Sequence, residues 1–125
     1  MLISVDTGKR VTRLPHKKDF NKWMSNLSAA DYKAVVDDIN AKINASDINT
    51  AGWLPGHNWD GTVYEALYDA CGKNQTQAGM FFGLLVFQIL MDREDHAWGF
   101  GKYEKDGVPI ASMTYFILKN IPERD

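Results

Sequence analysis

The chain carries one cysteine, Cys71, in 125 residues. An internal disulfide is therefore excluded, and nothing in the sequence calls for an oxidising compartment. Long hydrophobic runs are also lacking. The most apolar stretch, residues 80–91, is too short to span a bilayer and carries Gln88 inside it. No apolar run follows the basic residues near the start, so no secretory signal is expected. These absences predict a cytoplasmic protein with no membrane contact. Several catalytic signatures are missing as well. There is no Gly-x-x-x-x-Gly-Lys-Ser/Thr loop for nucleotide phosphates, no Gly-x-Ser-x-Gly elbow, no His-Glu-x-x-His pair and no paired cysteines for zinc. No cofactor and no metal ligand set is expected. Repeats, low-complexity tracts and interdomain linkers are absent too, and the length predicts one domain over residues 1–125.

What is present suits a packed globular domain. Hydrophobic residues make up 45% of the chain, the ordinary globular share. The net charge is −2, but it is unevenly spread. Residues 1–22 hold six Lys/Arg against two Asp, net +4; the remainder holds eight bases against fourteen acids, net −6. A basic arm could contact an acidic partner, but the acidic body argues against nucleic acid. A solvated face that offsets the body accounts for the arm without any partner.

Periodicity gives the elements. Residues 2–5 and 10–14 flank Asp6-Thr7-Gly8 and read as a weak hairpin. Phe20, Trp23, Met24 and Leu27 make one helical stripe, predicting a helix over about 16–26. Ser28 begins an N-cap with Asp31 at the third helical position. Tyr32, Val35, Val36, Ile39 and Ile43 then carry a helix over 29–44. Thr62-Val63-Tyr64-Glu65 has the form of a capping box, and Gly72 is a natural helix stop. Val63, Ala66, Leu67 and Ala70 form one stripe of that helix, and Tyr64, Tyr68 and Cys71 a second. Asn74, with Gln77 three residues on, starts the next helix, which ends near Asp92. Its apolar residues face all round, so it must be wrapped by its own chain or by a second subunit. Residues 98–104 and 108–118 read as strands around a turn at Lys105-Asp106-Gly107. The sum is an α+β fold: about four helices packed on a small antiparallel sheet, with a C-terminal β-hairpin.

The stretch Gly52-Trp53-Leu54-Pro55-Gly56-His57-Asn58-Trp59-Asp60-Gly61-Thr62 is the densest in special-angle and aromatic residues. An ordered loop of this kind has a packing or a binding role. Trp53 and Trp59, with Tyr64 and Tyr68, could wall an aromatic pocket or hold a cation. The plainer account is a satellite cluster that pins the loop. His57, Asp60 and Glu65 could converge on a divalent metal or act as an acid–base set. More commonly, such acids cap the helix start while the His is solvated. His96, beside Glu94 and Asp95, reads as an exposed helix-end cation, and Cys71 as a small buried residue rather than a nucleophile.

Residues 52–62, the apolar helix and Trp98-Gly99-Phe100-Gly101-Lys102-Tyr103-Glu104-Lys105-Asp106-Gly107-Val108-Pro109-Ile110 together resemble a family of small proteins encoded by mobile gene cassettes of bacterial integrons. The resemblance runs over about residues 28–118 and leaves 1–27 unmatched. It implies no activity and no catalytic residue. By analogy with other cassette proteins, it implies a homo-oligomer, most simply a homodimer, with a small-molecule pocket. Two functions follow. One is a binding or protein-interaction module with Trp53, His57, Trp59, Asp60, Tyr64 and Glu65 about its ligand. The other is a small enzyme, with or without the assistance of a metal, using His57, Asp60 and Glu65.

Overall fold

A computed structural model describes residues 1–4, 8–45, 48–50, 59, 61–100 and 113–118. Four helices pack on a small mixed sheet, as the α+β pattern predicts. The helices are α1 (Lys17–Met24), α2 (Ala29–Asn44), α3 (Glu65–Ala70) and α4 (Gln75–Asp92). The strands are β1 (Leu2–Ser4), β2 (Ile48–Thr50), β3 (Trp98–Phe100) and β4 (Thr114–Ile117), in the order β1-β3-β4-β2.

The apolar helix α4 is the centre of the molecule. Phe81, Phe82, Leu84, Leu85, Val86 and Leu90 are each at most 1% exposed. Each azimuth has its own cover. On one side, Phe81 meets Phe20 and Trp23 of α1, with ring centroids 5.8 and 5.7 Å apart. On another, Phe87 meets Phe100 of β3 at 5.5 Å and Tyr115 of β4 at 6.5 Å. Phe82 meets Tyr64 at the entrance of α3 at 5.3 Å. α2 brings Val35, Ile39 and Ile43, all buried and spaced i, i+4, i+8. One chain therefore covers this helix, which was expected to lie either in a core or at a dimer seam. The exposed large hydrophobic among the described residues is Val63.

Local signals explain most element ends. The Ser28 hydroxyl accepts from the Asp31 N–H at 3.1 Å, and the Asn74 side chain accepts from the Gln77 N–H at 3.0 Å. Gly72 has φ +66°, and the following Lys73 N–H reaches back to the Tyr68 carbonyl at 2.8 Å. That left-handed turn ends α3.

Several expectations need correction. The capping box does not form. The Thr62 hydroxyl donates to the Trp59 carbonyl at 2.7 Å and accepts from the Tyr64 N–H at 3.2 Å, while the Thr62 N–H bonds to the Trp59 carbonyl. This local turn uses the cap two residues early, so α3 starts at Glu65 and Val63 points outward. The sheet is not wholly antiparallel. β1 runs parallel to β3 in the register Leu2↔Trp98, Ile3↔Gly99, Ser4↔Phe100. The expected weak N-terminal hairpin is present as one antiparallel bridge, Ile3↔Arg10, with the Val11 N–H donating to the Leu2 carbonyl at 2.8 Å and the Ser4 N–H to the Lys9 carbonyl at 3.1 Å. The C-terminal antiparallel pairing of β3 with β4 is present, with Trp98 opposite Ile117. Its expected turn at residues 105–107 lies outside the described residues.

Gly99 has a steric reason. A Cβ there would stand 2.7 Å from a Phe116 ring carbon and 2.9 Å from Leu118 Cδ2. β3 thus lies directly beneath the side chains of Phe116 in β4 and of Leu118 just after it.

Candidate functional site

Side chains on α2 one step around from its core row make a second line. Tyr32, Val36 and Asn40 recur at i, i+4, i+8, so they share a face. Val36 and Tyr32 are only partly buried against the core. Opposite them stand Gln88, Ile89, Asp92 and Arg93 of the last turn and end of α4. Gln88 and Asp92 are i, i+4, as are Ile89 and Arg93. The two lines flank an open cleft of about 190 Å³. At about 30 Å³ per water, this is space for roughly six waters, or one small organic molecule.

Arg93 closes one end and is held rigidly. Its Nε and Nη2 donate to the Asp95 carboxylate at 3.0 and 2.5 Å. Nη1 donates to Asn40 Oδ1 at 3.0 Å and Nη2 to Asn44 Oδ1 at 2.5 Å. Four of its five N–H groups are thus used, and Asp95 offsets its charge. The Arg93 hydrogen bond is the main reason the Asp95 carboxyl is held down to about 2. Asn40 and Asn44 pin the end of α4 to α2.

The remaining polar groups of the cleft are not so matched. Gln88 Oε1 is buried with no hydrogen-bond partner. Glu94 pairs with Arg10 at 3.0 Å and Asp95 with Arg93, whereas Asp92 has no hydrogen bond or ion pair among the described residues. Burial, and next the charge of Asp92, push the Tyr32 phenol above its ordinary range, so it stays a neutral hydroxyl.

The aromatic-loop residues are placed as follows. Trp53, His57 and Asp60 lie outside the described residues. Trp59 is half-buried and lies 5.9 Å from the Tyr64 ring and 6.1 Å from Phe82. Tyr64 is 1% exposed and its hydroxyl donates to Asp38. Burial, and then this carboxylate, raise its phenol well above the usual range. Lys42 pairs with Asp38 at 2.9 Å and sits 4.9 Å above the Tyr64 ring. At Asp38, partial burial works upward, but the bonds from Tyr64 and Lys42 outweigh it and hold the carboxyl low. Glu65 is exposed on the first turn of α3. The structure thus joins Trp59 to Tyr64 and leaves Glu65 apart from them. Cys71 is buried, and burial pushes its thiol up to about 11, so the thiol form persists at neutral pH.

Sequence reasoning missed the α2–α4 cleft. Gln88, an amide inside an apolar run, was its one visible signal. Among the described residues no group of three His, Cys, Asp or Glu side chains is placed to hold a metal ion, and no helix is long and apolar enough to cross a membrane. Comparison with protein-family models, with curated proteins and with solved structures finds no match.

Proposed function

We propose that the protein is a small-molecule-binding module and that its ligand enters the cleft between α2 and α4. One observation carries this reading: a formed cleft of about 190 Å³ whose wall holds the buried, unpaired Gln88 Oε1. Buried polar groups are nearly always hydrogen-bonded, and an exception in a concave site points to an absent partner. The apolar Val36 and Ile89 would take a hydrocarbon body, while Asn40, Asp92 and Tyr32 would orient a polar end. The fixed Arg93 keeps the cleft open without closing on itself.

A second reading keeps the aromatic loop as the site. The half-buried Trp59 favours it, since an indole in that position offers an exposed face above Tyr64 and Phe82. In that case Trp53, His57, Asp60 and Glu65 would complete the surroundings. A homodimer encoded by an integron cassette belongs to the proposal on the resemblance alone, because α4 is already covered by its own chain.

Amide chemical-shift mapping with a library of small polar fragments tests the assignment. Binding in the cleft moves resonances of residues 32–40 and 88–93 together. Shifts confined to Trp59, Tyr64 and the neighbouring loop would transfer the site to the second reading.

A further inference from the structure

Resting on the cleft reading above, we infer that the ligand is a small organic ammonium ion: a primary amine on a compact hydrocarbon body. Three features of the cleft select it.

The charge balance comes first. Arg93 is neutralised by Asp95 and spends its N–H groups on Asp95, Asn40 and Asn44. On α2, Lys33 pairs with Asp37 and Lys42 with Asp38. Among the described residues, Asp92 brings to the cleft wall a charge that no ion pair compensates. The cleft is therefore negative by one carboxylate, and a cation completes it.

The hydrogen-bond inventory points the same way. Among the described residues, Gln88 Oε1 and the Asp92 carboxylate are acceptors without donors, one helical turn apart on α4. Gln88 lines the cleft, and the terminal torsion of a Gln side chain is soft, so its amide can turn to meet a ligand there. An ammonium group has three donors and no acceptor, and it can bridge both. The neutral Tyr32 hydroxyl supplies a third acceptor from the opposite, α2 wall. A carboxylate or phosphate ligand would meet Asp92 with no cation among the cleft-lining residues left to offset it, since Arg93 is held by Asp95.

The third feature is a pair of local rules that the sequence breaks. Asp92 is an acid in the last helical turn, where the macrodipole favours bases, and it gains no ion pair there. Gln88 places an amide inside the apolar run of residues 80–91, without a partner for its oxygen among the described residues. Such conflicts concentrate at functional sites. Here two occur on one face, one turn apart, against the same cleft. Val36 and Ile89 then provide the apolar floor for the ligand's carbon skeleton.

Three probes of one shape test the inference on the intact protein: cyclohexylammonium, cyclohexanol and cyclohexanecarboxylate, each titrated by amide chemical shifts. The ammonium ion should move residues 32–40 and 88–93, with affinity at least about tenfold above that of the alcohol. The carboxylate should leave them unmoved. Asp92→Asn should weaken the ammonium ion about tenfold. Gln88→Leu should weaken it as well while the thermal midpoint stays at or above wild type, because the orphan oxygen is gone. Equal or tighter binding of the alcohol or the carboxylate at these residues would overturn the ammonium class and leave the cleft reading standing. Failure of all three probes to shift any cleft residue would overturn both. Unchanged ammonium affinity in folded Asp92→Asn would also overturn the inference.

Discussion

At the scale of single residues, Arg93 and Gln88 show opposite solutions to burial. Arg93 is 15% exposed and satisfied on nearly every N–H. Gln88 leaves its oxygen unmatched, a state that costs about 1–3 kcal/mol in a folded core. Leu in the same place would avoid that cost. The Arg93–Asp95 pair makes a pH prediction. The Asp95 carboxyl lies at about 2 in the folded chain against an ordinary 3.8. The unfolded chain therefore takes up the proton first. The pair's contribution is complete above the ordinary value and disappears as pH falls from about 4 towards 2. Asp95 is 43% exposed, so screening limits the effect to less than about 1 kcal/mol. Urea midpoints of wild type and Asp95→Asn should converge across that window. A constant difference between them from pH 6 to pH 2 would refute the linkage.

Among the elements, α2 and α4 were legible and the sheet was only half so. Ser28 and Asn74 announce their caps by residue type and spacing, and the helices begin where they say. All-round apolar residues mark α4 as enclosed. Leu84, which is fully buried, should cost about 2–5 kcal/mol on replacement by Ala. A denaturation midpoint equal to wild type would contradict that placement. Strand direction was not legible, because side-chain alternation is identical in parallel and antiparallel strands. Leu2 and Trp98 meet across most of the chain's length, and no local signal records such a pairing. The cleft was hidden for a related reason. Tyr32, Val36 and Asn40 share a row with the helix's own spacing, but only packing reveals that Gln88, Asp92 and Arg93 face it. The Thr62 box failed because its hydroxyl closed a shorter turn with Trp59 and Tyr64, which sequence spacing alone does not distinguish from a cap.

At the scale of the whole molecule, one helix wrapped by three others and a sheet gives a rigid frame, and the mixed-polarity cleft lies where α2 leaves that helix partly uncovered. On the proposed reading, the frame supplies an apolar floor and the end of α4 polar contacts, and a ligand would enter without rearranging the core. The most direct measurement is a crystal structure of the protein soaked with cyclohexylammonium. The account predicts density for the ion between α2 and α4, with its nitrogen within hydrogen-bond reach of Gln88 Oε1 and the Asp92 carboxylate. A cleft closed over by neighbouring side chains, with Gln88 Oε1 bonded to the protein and the ion absent, would contradict it.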